Sequence, residues 1–234
     1  MNTFLRSLTT TQQIGALFLV VFGVLSLVTL WAFLRNLREV PDGDADAAAT
    51  RKAAARRFRG LLQTSWAMAT VFWVGWALGD TAATVLFALV AFFALREFIT
   101  LSPTRRGDHR SLVLAFFVVL PLQFVLVGTR HFDLFTVFIP VYVFLALPVV
   151  SALANDPQRF LERSAKLQWG IMVCVYGMSH VPALLLLDFP GQEPGRGAFL
   201  VFYLVLVVQT CMVVQHLLGR RFPHLPVAPA VSQS

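Results

Sequence analysis

Seven long apolar runs, at residues 14–34, 61–78, 82–95, 112–128, 132–153, 167–187 and 198–218, follow one another with only short polar connections. Crossing about 30 Å of hydrocarbon takes ~17–25 apolar residues at ~1.5 Å per residue. Six runs reach that length as drawn, and the third reaches it by borrowing residues 96–101. A soluble domain carries about 25% charged residues. Here charged residues are 13% and apolar residues 57% of the chain, too few polar groups to cover a water-facing surface. The pattern predicts an all-α polytopic transmembrane helix bundle of about seven spans, with residues 1–234 forming one integral membrane domain.

A net charge of +7 would suit a nucleic-acid partner, but its distribution argues against one. Alternate connections, counted with the two ends of the chain, carry 16 Lys and Arg on one side and 3 on the other. Cytoplasmic loops of membrane proteins hold the cationic excess. The expected topology is therefore N-terminus outside and C-terminus inside, with a basic cytoplasmic loop at 35–60 and a cytoplasmic tail at 219–234.

The first run is too long for the apolar stretch of a cleaved signal peptide, and no small-x-small site follows before Arg35, so it is expected to remain as the first membrane helix. Cys174 and Cys211 both fall inside apolar runs and read as buried free thiols. Residues 41–46 (PDGDAD) are turn-forming and acidic, whereas residues 47–59 (AAATRKAAARRFR) have high helix propensity. Such a basic helix can rest on anionic headgroups, although the topology rule alone already demands cations there. The opposite connections, at 79–81, 129–131 and 188–197, are too short for a binding domain. Function is expected inside the bundle or at its basic face.

Polar groups within the spans are costly in hydrocarbon and face protein or water. Arg96 and Glu97 close the third run, about 100° apart around the helix, so they need not pair with each other. His180 precedes Pro182, whose missing N–H frees a carbonyl one turn back, and His180 is expected to serve that kink. Pro121, Pro140 and Pro148 are expected to break other helices. Gly75 and Gly79 fit a small-xxx-small helix contact.

Absences constrain the chemistry. No Gly-rich phosphate loop and no Cys/His cluster is present. The last run and tail offer Gln209, Thr210, Gln215, His216, Arg220, Arg221 and His224, with no Asp or Glu after Glu193. Phosphoryl chemistry on a nucleotide relies on Mg²⁺ held by carboxylates, and this region supplies none.

From about Leu61 onward, the chain resembles the N-terminal part of the phosphatidate cytidylyltransferase (CDP-diacylglycerol synthase) family, in particular its shorter bacterial members. The matching stretches are 87–100 (FALVAFFALREFIT), 132–140 (FDLFTVFIP), Asn155-Asp156-Pro157 with Phe160, and 169–187 (WGIMVCVYGMSHVPALLLL). Residues 198–219 resemble the helix that leads into the family's nucleotide-handling region. The resemblance implies a bacterial inner-membrane protein of phospholipid biosynthesis that uses Mg²⁺ to join CTP and phosphatidate. The departures are specific. Met212 stands where the family has an acidic residue, Ala230 where it has a lysine and Gln233 where it has a proline. The family's Lys-Asp, His-Gly-Gly and Asp-Arg-x-Asp motifs are not found in these 234 residues.

The resulting expectation is a relative of this family that is not catalytic as an isolated chain, with no catalytic residue, metal ligand or cofactor assigned within it. The alternative is a lipid-binding protein or partner subunit of a membrane lipid-synthesis enzyme. Arg96, Glu97, Arg105, Arg106, Arg220 and Arg221 fall at the cytoplasmic ends of helices and form a candidate site for an anionic headgroup such as phosphatidic acid, since guanidinium forks match phosphate. Assembly with itself or with another membrane chain fits such a role. A transporter is disfavoured because no inverted repeat stands out.

Overall fold

A computed structural model describes residues 9–38, 45–102, 105–153, 156–188, 190 and 195–221. Its helices are α1 (Thr10–Arg38), α2 (Ala45–Ala77), α3 (Asp80–Thr100), α4 (His109–Gly128), α5 (Phe132–Ala152), α6 and α7 (Gly197–Arg221). Helix α6 runs from Phe160–Ile171 through Met172–Gly177 into Met178–Leu185. Among the described residues the chain is helical with no strand. Five helices are long and apolar enough to cross a membrane: α1 over Thr10–Leu34, α3, α4, α5, and α7 over Gly197–Gln215. The other two, α2 and α6, carry charged residues along their N-terminal portions, Arg56 and Arg59 in α2 and Glu162, Arg163 and Lys166 in α6, which shortens their apolar portions.

Local signals set the helix ends. Thr9 and Gln12 form a reciprocal cap on α1, with Thr9 N–H donating to Gln12 Oε1 at 3.1 Å and Gln12 N–H to Thr9 Oγ1 at 3.4 Å. The turn from α2 to α3 passes through Gly79 at φ 87°, a left-handed conformation that disfavours a Cβ. Gly75 instead packs at the α2–α3 contact, where an added Cβ would lie 3.6 Å from Ala83 Cβ. The two glycines of the expected packing motif therefore do different jobs.

Helix α3 is central. Its Ala91 and Leu95 are fully buried against Ala115 of α4, Ile139 and Leu147 of α5, and Ile171 and Val175 of α6. A second, smaller cluster joins Ile14 and Phe18 of α1, Phe72 of α2, and Ala198 and Val201 of α7. Both α1 and α7 are peripheral, with most of their apolar surface turned outward, as lipid contact requires. Cys211 belongs to that outward face. Only Cys174 is buried, a correction to the expectation of two buried thiols.

The prolines do not break their helices. Pro121 follows a wider π turn at Ala115–Val119, Pro140 lies within another at Phe138–Val143, and Pro148 and Pro182 sit inside α-helical turns. In hydrocarbon the freed carbonyls need other donors, and α6 supplies two to α5. Tyr176 Oη donates to the carbonyl of Thr136, four residues before Pro140, at 3.1 Å. Gln168 Nε2 donates to the carbonyl of Phe144, four residues before Pro148, at 2.8 Å. The π turns and these side-chain bonds keep the spans continuous.

Candidate functional site

The connections α3–α4 and α5–α6 meet at the basic end of the bundle. Gly107 permits the meeting, because a Cβ there would stand 3.1 Å from Asp156 Cβ. Arg159 takes a left-handed conformation, φ 51°, to turn the chain into α6. That turn brings Arg163, one helical turn later, beneath both connections.

Arg163 is the hub. Its side chain is 8% exposed, and its Nη1 lies 2.7 Å from Asp156 Oδ2 and donates at 2.9 Å to the carbonyl of Gln158. Its Nε lies 3.0 Å from Asp108 Oδ1, an ion pair in which the N–H is not aligned for a hydrogen bond. Asp108 in turn accepts from the backbone N–H of Arg105 at 2.9 Å. Arg105 Nη1 donates to Gln158 Oε1 at 2.6 Å and stands 3.9 Å from Asp156. Beside this clasp, Glu162 accepts from Lys166 and Arg159, each at 2.6 Å.

The hydrogen bond from Arg163 holds the Asp156 carboxyl below its ordinary value. The N–H of Gln158 and the charges of Arg163 and Arg105 act in the same direction, against desolvation. Lys166 and then Arg159 lower Glu162 in the same way.

Four carboxylates at this end have described side chains: Glu97, Asp108, Asp156 and Glu162. Three are ion-paired, and Glu97 is exposed without a polar side-chain partner among the described residues. No group of three or more His, Cys, Asp or Glu side chains converges among the described residues. Mg²⁺ takes carboxylate oxygens in a near-ideal octahedron. Carboxylates already neutralised by guanidinium groups do not fit it.

The candidate headgroup residues divide. Arg96 and Glu97 are exposed near the end of α3 and make no side-chain hydrogen bond or ion pair among the described residues. Arg105 is half-exposed and fixed by Gln158, with N–H groups still open to solvent. The side chains of Arg106, Arg220 and Arg221 lie outside the described residues, as does the acidic connection at 41–44. The structure thus joins Arg105 to Asp108, Asp156 and Arg163, three residues not singled out as site residues from the sequence. Asp108 and Arg163 are 55 positions apart, and neither falls inside an apolar run, so no local pattern marks the pair.

A second polar cluster crosses the bundle interior. Gln123 of α4 is fully buried and donates Nε2 to Ser179 Oγ at 3.2 Å and to the carbonyl of Phe135 at 3.4 Å. Ser179 Oγ donates to the carbonyl of Tyr176 at 2.7 Å. His180 Nδ1 lies 2.7 Å from that same carbonyl, so Nδ1 carries the proton, and the ring packs 4.5 Å from Tyr176 and 4.9 Å from Phe135. His180 therefore does not serve the carbonyl of Met178 that Pro182 frees, contrary to expectation. It is held one turn earlier.

At the opposite end Arg130 pairs with Asp188 and, at 3.4 Å, with Asp80, tying three connections together. Both clusters are structural, and at the basic face Arg96 and Arg105 stand exposed.

The uncharacterized protein YnbB of Escherichia coli (strain K12) is 33% identical over 146 residues, covering 62% of this chain and 46% of the relative, so the match spans about half of that protein's length. No solved structure matches the chain. The pattern of the cytidylyltransferase family matches residues 61–233, from the apolar half of α2 through α7, and the chain belongs to that family.

Proposed function

We propose that this chain is a bacterial inner-membrane relative of phosphatidate cytidylyltransferase that binds anionic lipid at its basic, cytoplasmic face. Residues 1–234 alone do not join CTP and phosphatidate into CDP-diacylglycerol and pyrophosphate. Family membership supports the lipid and nucleotide setting. One observation carries the non-catalytic part: Asp108, Asp156 and Glu162 are neutralised by Arg163, Arg105, Lys166 and Arg159, leaving Glu97 as the one unpaired carboxylate at this end among the described side chains. The donor set does not fit Mg²⁺, and no catalytic step is derived through that ion.

Headgroup binding rests on guanidinium forks. Arg105 is pre-oriented by Gln158, and Arg96 stands exposed on the neighbouring helix end. Arg106, Arg220 and Arg221 add cations by sequence position. Phosphate accepts paired N–H donors, so phosphatidic acid is the headgroup chemistry favoured.

The purified chain, given CTP, phosphatidic acid and Mg²⁺, is expected to release no pyrophosphate above background, and clear turnover overturns the non-catalytic reading. Turnover that appears only when a second membrane chain is added supports a partner role. In nanodiscs, R220Q/R221Q is expected to weaken phosphatidic-acid binding severalfold, and unchanged binding removes the tail from the site. A reporter that works only in the cytoplasm, fused at Ser234, is expected to give signal, and silence there reverses the orientation.

A further inference from the structure

Just inside the Arg163 clasp, between the end of α3 and α4, α5 and α6, lies a cavity of about 20 Å³. Its polar lining is Ser102, Asp108, Ser151, Arg163 and Lys166, and Ile99, Leu112 and Leu167 close its apolar side. One water needs roughly 10–15 Å³ and two to four polar partners.

The lining has unmet hydrogen-bonding capacity of both kinds. Arg163 is more than nine-tenths buried, and its Nε–H has no aligned acceptor. Ser151 Oγ and Ser111 Oγ are 2.7 Å apart and both buried, so one hydroxyl proton of the pair points elsewhere. With Ser111 as the donor within the pair, the Ser151 proton is free to face the cavity that Ser151 lines. Asp108 is acceptor-only when ionised, and Ser102 Oγ already donates to the carbonyl of Phe98 at 3.1 Å, leaving its lone pairs. Lys166 Nζ is engaged by Glu162 at 2.6 Å, and beside it the cavity offers two donors and two acceptors.

That inventory selects the ligand. An anion could accept from Arg163, Lys166 and Ser151, but both cations are already neutralised by Asp108 and Glu162, and it would meet the Asp108 carboxylate without a proton to give it. A cation would suit Asp108 but face the buried guanidinium. A phosphate group is also too large for the space. We propose that the cavity holds one ordered water molecule, accepting from Arg163 Nε–H and Ser151 Oγ–H and donating to Asp108 and Ser102. The water carries the ion-paired clasp inward to the Ser111–Ser151 pair, linking α4 and α5 beneath it.

The test uses the full chain in nanodiscs. Millisecond X-ray hydroxyl-radical labelling in H₂¹⁸O activates bound water where it sits, so the buried Leu167 side chain is expected to be labelled in the wild type. Ser151→Val fills the space and excludes the water, and Leu167 labelling is expected to fall at least severalfold. Ser151→Ala removes one donor while keeping the space, so its labelling is expected to persist with a Tm lowered by roughly 2–4 °C. Ser151→Val, which strands Arg163 Nε–H and Asp108, is expected to lower Tm further. An unlabelled Leu167 in the wild type, or a Ser151→Val variant more stable than Ser151→Ala, shows a dry cavity and overturns the proposal. Labelling that changes on adding potassium or phosphate identifies an ion and overturns it equally.

Discussion

Gln168 of α6 donates its side-chain amide, at 2.8 Å, to the carbonyl of Phe144, the acceptor that Pro148 of α5 leaves without a backbone donor. Eight residues along each antiparallel helix, Tyr176 performs the same service for Thr136, upstream of Pro140. Each proline interruption in one helix is matched by a donor on the next.

Removing either donor should therefore cost more than removing a surface polar group. Gln168→Leu and Tyr176→Phe each strand a carbonyl in an apolar setting, with an expected loss of about 0.5–2 kcal/mol. Restoring the backbone donor separates the effects. In a Pro148→Ala background Gln168→Leu should become nearly neutral, read by thermal or denaturant unfolding as a double-mutant cycle. Equal losses in both backgrounds would show that the amide acts by something other than the freed carbonyl.

Arg163 is the next weak point. Arg163→Met leaves the buried Asp108 without its cation, at an expected cost of about 2–4 kcal/mol. Adding Asp108→Asn removes the stranded charge and should recover part of the loss. A double variant as unstable as the single one would mean that the methionine fails through packing instead.

Acid should weaken the clasp with a defined sign. The folded value of Asp156 is depressed below its ordinary 3.8, so its contribution is fully present above that value. It is lost as pH falls through the depressed folded value. Glu162 acts in the same sense from its ordinary 4.5. The stability gap between wild type and Asp156→Asn should be widest near neutral pH and close below about pH 4. A gap that widens in acid has the wrong sign for this pairing.

The α3–α6 contact tolerates no added bulk at Gly170, where a Cβ would stand 2.6 Å from two ring carbons of Phe98. Gly170→Ala is expected to destabilise by about 1–3 kcal/mol through overpacking. Pairing it with Phe98→Leu should relieve most of that loss, again measured by unfolding.

Much of the architecture follows from one-dimensional pattern. Hydropathy places seven helices in chain order, because a span in hydrocarbon must satisfy its backbone locally and so writes its length into consecutive residues. Helix α3 does take in Arg96 and Glu97 to reach Thr100, as its short apolar run requires. Start and stop positions are less legible. Helix α2 begins at Ala45, well before its apolar run, because the basic segment is itself a strong helix former and nothing stops it before Leu61.

The sequence by itself determined a membrane-spanning helical bundle, the sidedness of its cations and a resemblance carried by stretches along the last three quarters of the chain. Those properties depend on local hydrophobicity, local charge and short motifs. Tertiary structure alone decided that the prolines of α5 are bridged by Gln168 and Tyr176 without breaking the helix. It also decided that His180 binds the Tyr176 carbonyl, and that Arg163 gathers Asp108 and Asp156 while Arg96 and Glu97 stand apart. A hydrogen bond or ion pair reaches only about 3 Å, so its partners are chosen by how the helices rotate and pack. Residues 55 positions apart meet because Gly107 lets two connections touch and Arg159 turns the chain between them.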